Sequence, residues 1–173
     1  MTARWPARRT GAVVALLAAA SVLAACAMPG GGVAPGMSQD DVAVRWGEPR
    51  AAYDLPGGKR LFYSTQRDGS QLQALDFDAN GRLLRVESVH TAQHLAAVAQ
   101  GGQRAADVLR ALGPPAKQTT QTSGADPSGK TAVWVYRFRE FDRYRLAHIH
   151  FDAAGIAHEV VFTDDPAAGD HYR

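Results

Sequence analysis

Apolar positions along the chain keep two different periods. In "GMSQDDVAVRWGEP", Gly36 to Pro49, Val42 and Trp46 stand four apart, the spacing that places both on one helical face. Ser38 is positioned to cap that helix, with Asp41 three residues on reaching back, and Met37 with Val42 has the spacing of a hydrophobic staple. Gly47 supplies the left-handed stop and Pro49 forbids continuation. The unit returns as "GQRAADVLRALGPP", in which Gly102, Asp107, Val108, Gly113 and Pro115 each follow their counterparts by 66 residues. Arg104 replaces the serine cap, so the second start needs another definition. The preceding "TAQHLAAVAQ", residues 91 to 100, is rich in strong helix formers and ends at Gly101-Gly102, which gives helix, tight turn, helix.

After each glycine-x-proline the period shortens to that of strands. Lys59 to Gln66, Gln71 to Phe77 and Arg82 to Val89 are separated by "RDGS" and "DANG"; Ala132 to Phe141, Tyr144 to Phe151 and Ile156 to Thr163 are separated by a turn near Asp142-Arg143 and by "DAAG". Phe77, Asp78 and Gly81 match Phe151, Asp152 and Gly155 at a spacing of 74, so eight extra residues fall between Thr119 and Lys130. The expectation is an α+β fold of two tandem modules, 36–89 and 90–163, each a three-stranded antiparallel sheet with one face under helix.

The amino end changes where this body would work. Arg4, Arg8 and Arg9 precede an apolar stretch from Gly11 to Leu23, which reads as a secretory signal over residues 1–25 and is shorter than the roughly 20 residues a membrane-spanning helix needs. "LAAC" resembles the lipobox of bacterial lipoproteins; the resemblance implies cleavage before Cys26 and acylation there. Lipid burial contributes about 0.8 kcal/mol per methylene, so three chains would tether the protein almost permanently. Ala27 stands where a lipoprotein retained in the inner membrane carries Asp, which implies the outer membrane. Residues 26–35 then form a flexible Gly- and Pro-rich linker, and residues 164–173 a flexible tail.

Removing residues 1–25 leaves sixteen basic and seventeen acidic side chains, a net charge of −1. That balance gives no reason to expect nucleic acid, whose phosphates call for a basic patch. With Cys26 the sole cysteine, an intramolecular disulfide is excluded.

The run "GMSQDDVAVRWGEP", followed by "RLFYS" and "LDFDANGRL", resembles the SmpA/OmlA or BamE-like family of small outer-membrane lipoproteins, well over residues 36–89 and more loosely over 91–163. The resemblance implies a non-enzymatic, periplasm-facing accessory of outer-membrane β-barrel assembly or envelope integrity, with an envelope protein as partner and no cofactor. Two modules where the family pattern has one is a departure. The tandem arrangement is also similar to the β-lactamase-inhibitor protein fold, which implies a tethered inhibitor or regulator of a periplasmic enzyme as the alternative.

Three motifs offer chemistry. "GADPSGKT", Gly124 to Thr131, matches the P-loop pattern, but the strongly β-forming "AVWVYRF" follows where a phosphate-binding helix is required. His148 and His150 share a strand face and His158 lies on the next strand, a weak metal candidate without a well-placed carboxylate or cysteine. The candidate partner surface is aromatic and basic: Trp134, Tyr136 and Phe138, with Arg139, Arg143, Tyr144 and Arg145. Core packing competes for the same three aromatics.

Overall fold

Ser38 starts the first helix through both halves of a capping box. Its Oγ accepts the Asp41 amide at 3.1 Å, and the Asp41 carboxylate accepts the Ser38 amide at 3.3 Å. Hydrogen bonding from Ser38 holds the Asp41 carboxyl below its ordinary range. The computed structural model describes residues 32–66, 70–122 and 130–168, which belong to one compact unit. The proposed signal peptide, Cys26, Gly124 to Gly129 of the P-loop-like segment and residues 169–173 lie outside the described residues.

Helix α1 (Gln39–Trp46) is followed by strands β1 (Ala51–Leu55), β2 (Gly58–Ser64), β3 (Leu72–Asp78) and β4 (Leu83–Ser88). Helices α2 (Ala92–Gln100) and α3 (Ala105–Leu112) then lead into β5 (Lys117–Thr122), β6 (Lys130–Glu140), β7 (Arg143–Phe151) and β8 (Ala157–Asp164). The strands form two antiparallel four-stranded meanders, β1-β2-β3-β4 and β5-β6-β7-β8. The α+β class is as expected, but each sheet has four strands where three were expected.

The added strands are β1, which is short, and β5, which carries no apolar side chain. β1 is the short "AAYDL", closed onto β2 through the two-residue turn Pro56-Gly57, with Gly57 at φ 83°. β5 is "KQTTQT", a polar edge strand paired with β6 from Lys117↔Val135 to Thr122↔Lys130. The P-loop-like segment therefore connects two antiparallel strands, and the helix that phosphate binding needs does not follow it.

The two sheets repeat details as well as order. The Asp78 carboxylate accepts the amides of Asn80 and Arg82, and Asp152 accepts those of Ala154 and Ile156. Gly81 and Gly155 both sit at φ 73°. Register shifts fall at Asp76/Phe77 and at His150/Phe151, and isolated bridges join Ser38 to Arg82 and Arg104 to Ile156. The last of these answers how α3 starts without a capping side chain: Arg104 makes no side-chain cap, and the Ala105 amide donates to the Gly155 carbonyl. Helix α2 is capped by Thr91, whose Oγ1 accepts the His94 amide.

Packing divides into two clusters. Val42, Leu61, Tyr63, Leu75, Phe77 and Leu83 bury one face of the first sheet against α1, joined by Val33, Met37 and Trp46. Val33 thus lies against the core, although it falls in the segment expected to be a flexible linker. The opposite face, with Phe62, Leu72 and Ala74, shares a larger core with α2, α3 and the inner face of the second sheet. The first sheet is therefore covered on both faces, and the core does not divide at residue 90.

Polar groups tie the same junction. Arg60 on β2 contacts Asp76 at 2.6 and 2.8 Å, Arg85 reaches Asp76 at 2.7 Å, and Glu87 lies 3.2 Å from His94 on α2. Burial alone would raise the Asp76 pKa, but the bonds from Arg60 and Arg85 outweigh it and hold the carboxyl below its ordinary range. The carbonyl end of α3 receives three side chains: Arg60 donates to Arg110 O at 3.2 Å, His90 Nε2 to Leu112 O at 3.1 Å, and the Tyr136 hydroxyl to Gly113 O at 3.0 Å.

Gly113 ends α3 at φ 75°, as Gly47 ends α1 at φ 79°. A Cβ at Gly113 would stand 2.7 Å from Leu72 Cδ2 and 2.9 Å from Phe62 Cδ1, whereas one at Gly47 would meet nothing within 4 Å. Both glycines hold an extended positive-φ conformation that is essentially glycine-only, so Gly47→Ala is expected to cost about 1–3 kcal/mol from strain alone and Gly113→Ala about 1–3 kcal/mol more from overpacking. Urea denaturation of both variants measures the difference; equal losses would remove the close approach as its cause.

Candidate functional site

Strand β6 has two unlike faces. Trp134, Tyr136 and Phe138 alternate inward under the helices and are buried, in a shared core with Ala147, Ile149 and Phe151. Their assignment to a partner surface is thereby corrected: the larger aromatic face of β6 is the one that removes most apolar area from water against α2 and α3. Tyr136 is buried beside Tyr53, and burial first, then that neighbour, raises its phenol well above the ordinary range. Its hydroxyl is committed to Gly113 O.

The remaining candidates, Arg139, Arg143, Tyr144 and Arg145, do come together at the β6–β7 hairpin. β6 pairs with β7 from Ala132↔Phe151 to Glu140↔Arg143, which leaves Phe141 and Asp142 as a two-residue turn. The turn lies one residue earlier than the sequence suggested. Arg137 lies 4.5 Å and Arg139 5.9 Å from the Tyr144 ring centre, close enough for cation–π attraction. Arg137 Nε also sits 2.6 Å from Asp165, a largely buried carboxylate. Arg145 pairs with Glu140 at 2.6 Å and with Asp164 at 3.7 Å, and Arg139 with Asp142 at 3.4 Å.

The region is consequently mixed in charge. Arg137, Arg139, Arg143 and Arg145 are matched by Glu140, Asp142, Asp164 and Asp165, which corrects the expectation of a basic surface. Asp164 and Asp165 belong to the segment expected to be a loose tail, yet Asp164 ends β8 and the Asp165 amide donates to the Tyr144 carbonyl. Two concavities of about 400 Å³ each flank the turn. Arg139, Tyr144 and Asp165 line one, Glu140, Phe141 and Arg145 the other, and Asp142, Arg143 and Asp164 belong to both.

Phe141 is the residue that sequence reasoning missed as a site. It is 92 % exposed and holds φ 52°, a conformation normally given to glycine or asparagine. "EFDR" carries no glycine to announce such a turn; the available signal was the two-residue spacing between alternating runs.

His148 and His150 lie on the outer face of the second sheet. His148 Nε2 is 3.0 Å from Thr163 Oγ1, and the His150 and His158 rings are 6.4 Å apart between centres. Among the described residues no group of three or more His, Cys, Asp or Glu side chains is placed to hold a metal ion. Burial, and then the neighbouring His150, lower the His148 pKa below its ordinary 6.5.

No family model matches the chain, and no curated protein matches it. Among solved structures it is similar to a DUF4309 family protein, YjgB, from Bacillus subtilis, at 15 % identity over 74 % of this chain and 78 % of that one, with a TM-score of 0.27. A likeness of that size carries no argument about activity.

The lowered His148 pKa fixes a direction for stability. The unfolded chain takes up a proton near pH 6.5 while the native state resists it, so the native state loses stability as the pH falls below about 6.5. The melting temperature is expected to fall between about pH 7 and about pH 5, and His148→Gln is expected to flatten part of that fall. Parallel pH profiles of the two proteins measure it.

Proposed function

We propose that this chain is a non-enzymatic lipoprotein, anchored at Cys26 in the outer membrane and facing the periplasm, that binds another envelope protein. We read its body as a duplicated BamE-like unit, 36–89 and 90–163, with β-barrel assembly or envelope integrity as the implied role. The observation that carries the reading is the recurrence of the helix stop and the strand turn: Gly47 and Gly113 end their helices at φ 79° and 75°, and Asp78 and Asp152 close identical turns. These are the positions at which the sequence resembles the family. In this reading the anchor is the lipid on Cys26; among the described residues no helix is long and apolar enough to cross a membrane.

The second reading, a tethered inhibitor of a periplasmic enzyme, draws on the exposed Phe141 tip and its flanking concavities. Both readings make the protein a binder, and they differ in the partner. Crosslinking in intact cells, followed by purification through the lipidated chain and mass spectrometry, is expected to recover subunits of the barrel-assembly machine. Recovery of one periplasmic enzyme whose activity falls in a stoichiometric complex would replace the first reading with the second. A Cys26→Ser chain is expected to leave the membrane fraction, and its retention there would remove the anchor from the proposal.

A further inference from the structure

We infer that the β6–β7 hairpin tip is the anchor of the partner interface, with Phe141 inserting into an apolar pocket of a folded protein. The inference rests on the protein-binding reading above and specifies where binding is concentrated. Seven glycines occupy the other positive-φ positions among the described residues; Phe141 is the one non-glycine there. The backbone at this turn would be more relaxed with glycine, and the ring gains nothing from its own chain, since it is 92 % exposed. Strain held with no internal contact to offset it is the pattern of a residue kept for an external one.

The surroundings select the occupant. A large aromatic at the centre, ringed by charged side chains, is the anatomy of a protein hot spot. Glu140, Asp142 and Asp164 stand among the arginines, so an anionic membrane surface would meet repulsion at the tip as well as attraction. The two concavities beside the turn are lined mainly by Arg, Asp and Glu, so this tip on a second copy offers no apolar socket for a phenyl ring. The matching surface is a folded protein with an apolar pocket whose rim carries charges of both signs, placed to meet Arg139, Asp142, Arg143 and Asp164. The Arg137–Asp165 pair and the guanidinium–Tyr144 contacts brace the strands behind the tip, which limits the ordering cost of binding.

The test uses the full lipidated chain in intact cells, with photo-crosslinking p-benzoylphenylalanine introduced singly at Phe141, Val44 and Val161, all exposed positions. The crosslinked protein is identified, purified and titrated against the unmodified chain and against Phe141→Gly and Val44→Ser. The expected result is a protein crosslink from position 141 and at least about a tenfold loss of affinity for Phe141→Gly, with Val44→Ser within about twofold of the unmodified chain. Phe141→Gly is also expected to melt at the same or a higher temperature, a combination that misfolding would not produce. Unchanged affinity of Phe141→Gly would overturn the inference, as would crosslinking from position 141 to phospholipid or to a second copy. Protein crosslinks from Val44 or Val161 but not from 141 would overturn the tip and leave the protein-binding reading standing; none from any of the three would sink both.

Discussion

The carbonyl end of α3 is the point on which the two sheets depend. A helix ending inside a protein leaves carbonyls without intrahelical partners, and burying them unpaired costs about 1–3 kcal/mol each. Here the partners come from three parts of the chain: Arg60 from the first sheet, His90 from the connection into α2, and Tyr136 from the second sheet. The Tyr136 bond is buried and the His90 bond half-buried, so these two carbonyls depend most on their partners, while the Arg110 carbonyl that Arg60 reaches is exposed. Gly113 makes the geometry possible, because only a residue without Cβ can turn there against Phe62 and Leu72. One helix stop thereby sets the relation between both sheets and lets them share a core.

That arrangement uses up the large apolar surfaces. Phe62 and Ala74 from one sheet and Tyr136, Phe138 and Ile149 from the other lie in the shared core, while α1 covers the remaining face of the first. Among the described residues the large apolar side chains left exposed are Val44, Leu84, Val86, Phe141 and Val161, of which Phe141 is the one aromatic. Single exposed aliphatic residues are ordinary on a soluble surface. A fully exposed phenyl ring on strained backbone is not, which is why the hairpin tip stands out chemically although its charges nearly cancel.

Much of the architecture was legible in the sequence because it depends on local rules. Ser38 with Asp41, Gly47 with Pro49 and the "DANG" and "DAAG" turns state their conformations through side-chain and glycine chemistry. The two edge strands were not legible, since pairing along one edge demands neither an apolar face nor length: "KQTTQT" lacks the first, and "AAYDL" is only five residues long. The sign was nonetheless present at Pro56-Gly57, a dipeptide that closes a hairpin. Candidate residues divide the same way. Arg139, Arg143, Tyr144 and Arg145 were found by density along the chain, whereas the fate of Trp134, Tyr136 and Phe138 depended on which face of β6 the helices would cover. Both faces of that strand are amphipathic, and only tertiary packing decides between them. Phe141 was missed for a further reason: phenylalanine is not among the residue types that announce positive φ, so only the two-residue spacing between the alternating runs pointed to the turn.

The two sheets differ most in the length of their central hairpins. β2 and β3 have seven residues each, whereas β6 has eleven and β7 nine. Lengthening both strands of one hairpin adds backbone pairing up to Glu140↔Arg143, beyond the stretch where Tyr136↔Ala147 and Trp134↔Ile149 lie in the core. Beyond Phe138 the extension has no core to bury, so its side chains are held by ion pairs and by the Arg139 guanidinium over Tyr144. Exposed pairs of that kind contribute little to stability, on the order of 0–1 kcal/mol each. Their effect is positional: opposite charges alternate across the strands, fix rotamers and stop the extension from presenting a single-sign field. The extension closes at Phe141, which holds φ 52° and is 92 % exposed, so its tip lies outside both cores and is held by backbone pairing and charge pairs.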